Sequence, residues 1–168
     1  MLVQIQTHID TRVASIRAAH PEWPCAKGCA DCCRSLASEP LLSESEWRLL
    51  EPLLTEDHRQ NIQAQGGKSR PVICPLLDQS TNACQVYAAR PLACRTYGYY
   101  AERDKVLGCH RIESLAATHS DILWGNQLTL ERQATALGPQ RPLSHWLNRP
   151  GAVSSSSNQP PRADEPLS

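Results

Sequence analysis

Eight cysteines constrain this chain more than any other feature of its sequence. All of them lie between residues 25 and 109 of the 168, and four fall within the stretch CAKGCADCC. Thiolates are soft ligands, and sets of four hold zinc(II) or iron–sulfur clusters. Phenylalanine is absent and aromatic residues make up only 5% of the chain. The core must therefore be mainly aliphatic, and a bound metal would help to stabilise it.

The chemistry expected of clustered cysteines depends on the compartment. The N-terminal stretch MLVQIQTHIDTRVASIRAAH has neither the apolar run nor the cleavage site of a signal peptide. No segment has the length of apolar sequence needed to cross a bilayer. We therefore expect a cytoplasmic protein without a membrane span, in which structural disulfides are disfavoured and cysteines bind metal or do redox chemistry. The net charge of zero argues against a broad nucleic-acid surface, and no protein partner is indicated.

The spacing of the cysteines favours metal binding. Cys29 and Cys32 are separated by two residues, so a short loop can direct both sulfurs at one ion. Cys33 follows directly, and adjacent side chains in an extended stretch point to opposite sides, so we expect Cys32 and Cys33 to serve different sites. Eight sulfurs suffice for two four-sulfur sites or for one cluster with spare thiols. The predicted metal ligands are Cys25, Cys29, Cys32, Cys33, Cys74, Cys84, Cys94 and Cys109.

Two other interpretations of the cysteines are weaker. The spacing of Cys25, Cys29 and Cys32 resembles the signature of radical S-adenosylmethionine enzymes, whose three cysteines hold a [4Fe–4S] cluster. Those enzymes have an aromatic residue before the third cysteine, where this chain has Asp31. The chain is also too short and too helical for the run of βα units that they need. The other interpretation is a set of buried free thiols that act as small hydrophobic side chains.

The remaining sequence predicts a mainly helical α+β fold. Apolar residues at spacings of three and four predict a helix over residues 2–19. Ser43 and Glu46 fit a capping box at the start of a second helix, which Pro52 should kink or restart. The pair Gly66-Gly67 then marks a break in a polar run.

A hairpin is predicted in the second half of the cysteine-rich region. Its arms would be residues 72–74 and 84–87, around the turn-rich DQSTNA, so that Cys74 and Cys84 can meet. A short helix should follow over residues 91–98, with a proline at its start and a glycine near its end.

The C-terminal part of the chain is predicted to consist of helices followed by a tail. Residues 112–136 should be mostly helical with a break at 125–126, and residues 141–147 should form a turn that docks through Trp146. We expect one domain over residues 1–147. Residues 148–168 are rich in Pro and Ser and are predicted to be a disordered tail.

Three blocks of this sequence together resemble a known family. The blocks are CADCC, CPLL and CQVYAARPLACRTYG, spread over about residues 25 to 110. They are similar to the zinc- or iron-chelating proteins named for their CxxCxxCC motif (YkgJ-like). The chain departs from that motif because three residues, not two, separate Cys25 from Cys29. The resemblance implies a metal-binding protein that holds zinc or an iron–sulfur cluster.

The same resemblance implies an alternative function. Some relatives look like flagellin lysine methylases, which would suggest an iron–sulfur-dependent enzyme, either an oxidoreductase or a protein lysine methyltransferase. No methyl-donor pocket is evident in the sequence. A metal carrier or a redox sensor is a third hypothesis, and a binding module without catalysis is the one we expect.

Charged residues beside the cysteines are further candidates. Arg90 could neutralise a four-thiolate site or bind an anionic ligand or cofactor, or it could simply pair with a carboxylate. For Arg95 we expect the structural role, a salt bridge. His110 follows Cys109 and could replace a cysteine as ligand, although a surface position is the simpler expectation.

Overall fold

The computed structural model describes residues 1–65 and 72–149. Within them the chain is mainly helical, with small sheets of two or three strands, which confirms the predicted α+β class. The α-helices are α1 (Leu2–Ala19), α2 (Asp31–Arg34), α3 (Glu44–Leu50), α4 (Glu56–Gln65), α5 (Leu92–Thr96), α6 (His110–Thr118), α7 (Gln127–Thr135) and α8 (Leu143–Leu147). Short 3-10 turns cover Glu51–Leu53 and Tyr87–Ala89.

The strands are only two or three residues long. They are β1 (Leu41–Leu42), β2 (Leu77–Asp78), β3 (Ala83–Cys84), β4 (Tyr100–Glu102), β5 (Lys105–Val106), β6 (Gly125–Asn126) and β7 (Arg141–Pro142). Strand β1 pairs antiparallel with β7, and β2 pairs antiparallel with β3. In the third sheet β4 lies between β5, which is antiparallel to it, and β6, which is parallel to it.

Helix α1 spans the segment that the apolar spacing predicts. Leu2, Ile5, Ile9 and Ile16 are buried on one face of it. These side chains form one of two hydrophobic cores, the α1 core, with residues from α5, α6 and α7. Its buried members are Leu2, Ile5, Ile9, Ile16, Trp23, Leu92, Tyr99, Tyr100, Ile112, Ile122 and Leu130.

The second core, the α3 core, lies around α3, α4, α8 and the β2–β3 hairpin. Its buried members are Ala30, Leu42, Trp47, Leu50, Ile62, Cys74, Leu76, Leu77, Val86, Leu143, Trp146 and Leu147. Trp146 docks α8 as predicted, because its indole Nε1 donates a hydrogen bond to the carbonyl of Leu42 at 2.8 Å. The cysteine-rich region contributes to both cores.

Glu46 links α3 to α5 from a buried position. The capping box is confirmed: Glu46 Oε2 accepts hydrogen bonds from the amide and the hydroxyl of Ser43, each at 2.7 Å, and the Glu46 amide donates back. Its other oxygen, Oε1, accepts from the amide of Leu92 at 2.8 Å. Glu46 is only 2% exposed, so one carboxylate satisfies the starts of two helices.

Arg95 makes the second polar link, between α5 and α1. Its guanidinium Nη1 donates to both carboxylate oxygens of Asp10 at 2.9 Å, and its Nε donates to the carbonyl of Arg90 at 3.0 Å. The predicted salt bridge of Arg95 is therefore confirmed. Arg95 is almost fully buried, so these bonds compensate for its desolvation.

Several predicted boundaries are corrected. The hairpin has its first arm at Leu77-Asp78, where Leu77 lies opposite Cys84, and not at residues 72–74. Val72 pairs instead with Leu36. The sequence does not predict helix α4, because this helix is too polar to show an apolar stripe. It does not predict the three-stranded sheet either, because strands of two or three residues are too short to show alternating apolar and polar residues.

Other boundaries agree with expectation. Helix α3 ends at Leu50, and the 3-10 turn that contains Pro52 follows it. Helices α6 and α7 are separated near residues 125–126, as predicted. The predicted break at Gly66-Gly67 and residues 150–168 of the predicted tail lie outside the described residues. No helix in the described part of the chain is long and apolar enough to cross a membrane.

Replacing Glu46 tests the link between α3 and α5. We expect Glu46→Ala to lower the free energy of unfolding by about 3 kcal/mol, because buried amides lose their acceptor. Glu44→Ala is the matched control: Glu44 is in the same turn but pairs with Arg48 and Arg149 in solvent, where ion pairs contribute little. Urea unfolding of both variants measures the difference, and equal losses would contradict the role assigned to Glu46.

Candidate metal centre

The eight cysteines are brought together between the two cores from six separate parts of the chain. Cys25 and Cys29 lie in the loop after α1, Cys32 and Cys33 in α2, Cys74 before β2, Cys84 on β3, Cys94 in α5 and Cys109 at the start of α6. All eight are free thiols; Cys74 is buried, and the other seven are partly exposed.

Cys25, Cys29 and Cys109 form one group. Cys25 and Cys109 pack against the α1 core. Burial, followed by the negative charge of Cys29, Cys109 and Cys32, raises the pKa of Cys25 to about 12, although Arg111 acts in the opposite direction. The first group therefore joins cysteines that precede α2 in the sequence with one that follows it by more than seventy residues.

The loop that carries Cys25 and Cys29 is held tightly. The amide of Cys29 donates to the carbonyl of Ala26 at 3.0 Å, in a turn where Gly28 has a φ of +96°. The hydroxyl of Tyr99 donates to the carbonyl of Cys25. Gly98 lies directly against Cys25, and a Cβ at this glycine would collide with the Cys25 sulfur.

Cys33, Cys74, Cys84 and Cys94 form a second group. The amide of Cys74 donates to the carbonyl of Cys33 at 2.7 Å, which holds the segment before β2 against α2. Cys33, Cys74 and Cys84 belong to or pack against the α3 core. Burial, followed by the negative charge of Cys33, Cys32 and Cys84, raises the pKa of Cys94 to about 12.

Cys32 and Cys33 connect the two groups. Their sulfurs are 3.8 Å apart on α2, so the expectation of an extended stretch with opposed side chains is wrong. The hydrogen bond between the two thiols and burial raise the pKa of Cys32. For Cys33, the bond from Cys32 lowers the pKa, but a hydrogen bond with Cys74, burial and the charges of Cys74 and Cys84 raise it to about 12.

Two arginines provide positive charge beside the thiols. The Arg90 guanidinium lies 3.5 Å from the centre of the Tyr87 ring, and its charge opposes the burial that raises the pKa values of Cys84 and Cys94. Arg111 Nη1 is 4.0 Å from the sulfur of Cys29 and 3.5 Å from Asp31. The sequence reasoning singled out Arg90 but missed Arg111, whose position two residues after Cys109 was the available signal.

The donor set fits a thiolate-bound metal. Clustered thiols with raised pKa values stay protonated without a cation, and a soft cation replaces those protons. Nearby arginines offset the negative charge of several thiolates. His110, by contrast, is exposed, in agreement with the expected surface position.

No three sulfurs in the described part of the chain are as close together as the ligands of a closed zinc site. Zn–S bonds of about 2.3 Å imply S–S distances of about 3.8 Å in a tetrahedron. Among the described residues, which include all eight cysteines, no three sulfurs lie within 4.8 Å of one another.

One comparison with known proteins gives a match. The family model CxxCxxCC, described as "Putative zinc- or iron-chelating domain", matches residues 24–119, which is more than half of the chain. That range contains all eight cysteines. No curated protein and no solved structure matches the chain.

Gly98 offers a test of the packing around Cys25. We expect Gly98→Ala to reduce the metal content of the purified protein, because the added methyl group displaces the Cys25 sulfur. Gly138→Ala is the matched control, since Gly138 also has a positive φ, +97° against +85°, but its Cβ would meet no atom within 4 Å.

Both alanine variants should lose about 1–2 kcal/mol of stability from the left-handed backbone. Only Gly98→Ala should also lose bound metal, as measured by elemental analysis per mole of folded chain. Equal metal content in the two variants would argue against Cys25 as a ligand.

Proposed function

Because the chain belongs to the CxxCxxCC family of zinc- or iron-chelating domains, we propose that it is a metal-binding module with two adjacent four-sulfur sites. Cys25, Cys29, Cys32 and Cys109 are the ligands of the first site. Cys33, Cys74, Cys84 and Cys94 are the ligands of the second. Metal binding, which the family description supports, is then the main role of the domain, and the domain has no catalytic role.

The observation that carries this proposal is the division of the cysteines between two cores. Cys25 and Cys109 pack against the α1 core, whereas Cys33, Cys74 and Cys84 belong to or pack against the α3 core. Helix α2 lies between them and supplies adjacent cysteines whose sulfurs are 3.8 Å apart. One sulfur for each site then completes two sets of four, which is the usual ligand number for zinc and for iron–sulfur clusters.

Both zinc and an iron–sulfur cluster are compatible with this donor set. Zinc would serve as a closed staple, lost only when the domain unfolds. A cluster is compatible with sulfurs of which no three lie within 4.8 Å of one another in the described residues, because the ligands of a cluster lie farther apart than those of one ion. An iron–sulfur enzyme, an oxidoreductase or a protein lysine methyltransferase, is the second candidate function on that observation.

The first experiment is to measure metal and acid-labile sulfide in protein purified without oxygen, with a visible absorption spectrum. Zinc without sulfide or colour supports the staple. Iron with an equivalent amount of sulfide and broad visible absorption supports the cluster and the enzymatic candidate. Thiols that titrate as free, with neither metal present, would overturn the proposal.

The division into two sites has its own test. We expect Cys109→Ser and Cys74→Ser each to lose about half of the bound metal, and the double variant to lose nearly all of it, because each serine removes a soft ligand from only one site. His110→Ala is the control: it alters the exposed neighbour of Cys109 and should leave the metal content unchanged. Complete loss of metal in either folded single variant would indicate one shared centre instead of two.

Arg90 is proposed to moderate the charge of the second site. Its guanidinium is fixed over Tyr87, and its Nε donates to the Tyr87 carbonyl at 3.1 Å. A fixed cation beside Cys84 and Cys94 favours their thiolate forms. Arg90 therefore supports ligand ionisation in this proposal without contacting the metal itself.

A further inference from the structure

A second kind of ligand cluster lies away from the cysteines, where α1 and α6 end. His20 directly follows α1, Glu22 lies two residues later, and His119 directly follows α6. Within the described residues, these three form the only group of His, Cys, Asp or Glu ligand atoms that all lie within 4.8 Å of one another. We propose that His20, Glu22 and His119 bind one divalent cation of the zinc type.

The distances suit direct ligation. His20 Nδ1 is 3.4 Å and His119 Nε2 is 3.6 Å from the same carboxylate oxygen, Glu22 Oε1. Bonds of about 2.0–2.1 Å from zinc to nitrogen or oxygen in a tetrahedron imply ligand separations of about 3.4 Å. A single ion can therefore contact all three atoms with small side-chain adjustments.

Asp121 lies where an outer carboxylate of such a site is expected. His20 Nε2 is 3.8 Å from Asp121 Oδ2, and His119 Nδ1 is 3.9 Å from Asp121 Oδ1. Each imidazole thus faces Glu22 with one nitrogen and Asp121 with the other. Histidine ligands of metals commonly direct their second nitrogen at a carboxylate, which fixes the tautomer and raises the basicity of the ligand.

The rest of the surroundings favour a cation. The His20 side chain is only 8% exposed, and its ring lies edge-on to His119 with the centroids 5.2 Å apart. The C-terminal ends of two helices, which carry partial negative charge, meet at this point. Two carboxylates add formal negative charge that a divalent cation would neutralise.

The proposed site differs in class from the cysteine sites. Imidazole and carboxylate ligands suit zinc, cobalt and nickel, and no thiolate takes part. Three protein ligands leave a coordination position for water or a small ligand, in contrast to a closed structural site. His20 and Asp121 also line a cavity of about 320 Å³, together with Arg12, which gives a small molecule room beside the metal. His20 and Glu22 precede the family match, which begins at residue 24.

Zinc binding by the full chain tests this site while the cysteine centres retain their own metal. We expect wild-type protein dialysed against buffered zinc to bind one ion more than Glu22→Gln or His119→Gln. His8→Gln is the control, because His8 is exposed on α1 and lines the same cavity, and it should retain the additional ion. Asp121→Asn should weaken binding about 10–100-fold, as expected for loss of an outer carboxylate.

Histidine ring nitrogen resonances provide a second readout that does not depend on the variants. Zinc should shift the ring nitrogens of His20 and His119 in the wild-type protein and leave those of His8 and His145 in place. An equal number of zinc ions in wild type, Glu22→Gln and His119→Gln would overturn the proposal. Zinc-induced shifts confined to other histidines would also overturn it. His20, Glu22, His119 and Asp121 would then form only a cluster of ion pairs.

Discussion

The adjacent thiols on α2 are the constraint on which the rest of this structure depends. Helix α2 has four residues, too few to be stable alone. Its Cys32 and Cys33 lie 3.8 Å apart, surrounded by thiols from the regions that precede and follow it. The hydrogen bond between the two thiols and burial raise the pKa of Cys32, and burial followed by the charge of neighbouring thiols raises those of Cys25 and Cys94. Deprotonated sulfurs therefore cannot gather here unless a cation joins them. The arrangement is favourable either with protonated thiols or with a metal.

A frame of polar contacts brings the cysteine segments together. Glu46 joins α3 to the start of α5, which carries Cys94, through the amide of Leu92. Arg95 joins the same helix to α1 through Asp10. Arg34, next to Cys33, donates to the carbonyl of Gln79 at 3.3 Å and to the side chain of Asn82 in the hairpin turn before Cys84. These bonds fix short elements whose own apolar surface is small, as expected for a chain with few aromatic residues.

Local signals in the sequence predict some of this fold well. The stripe of α1, the capping box of α3 and the break between α6 and α7 all depend on residues within one or two helical turns. The sequence pattern places the hairpin too early, because Val72-Ile73-Cys74 is more β-prone than the Leu77-Asp78 pair that forms the strand. Strand β4 pairs with β6, which lies more than twenty residues later in the sequence, and the pairing involves only two residues of each strand. No local sequence pattern encodes such a contact.

For the candidate sites, too, the sequence predicts what depends on neighbouring residues and does not predict contacts between distant segments. The thiol cluster is predictable because cysteine is rare, its chemistry is specific and its residues are closely spaced in the sequence. The grouping of the sulfurs was not predictable, because it depends on which core each segment joins. His20 and His119 are about a hundred residues apart, and their common position arises only because α1 and α6 end side by side. Trp23, between His20 and Cys25, stacks on Tyr99 with ring centroids 5.8 Å apart, and Tyr99 binds the carbonyl of Cys25. One short segment, residues 20–25, therefore holds ligands of both proposed metal classes, and the packing of Trp23 fixes the position of each.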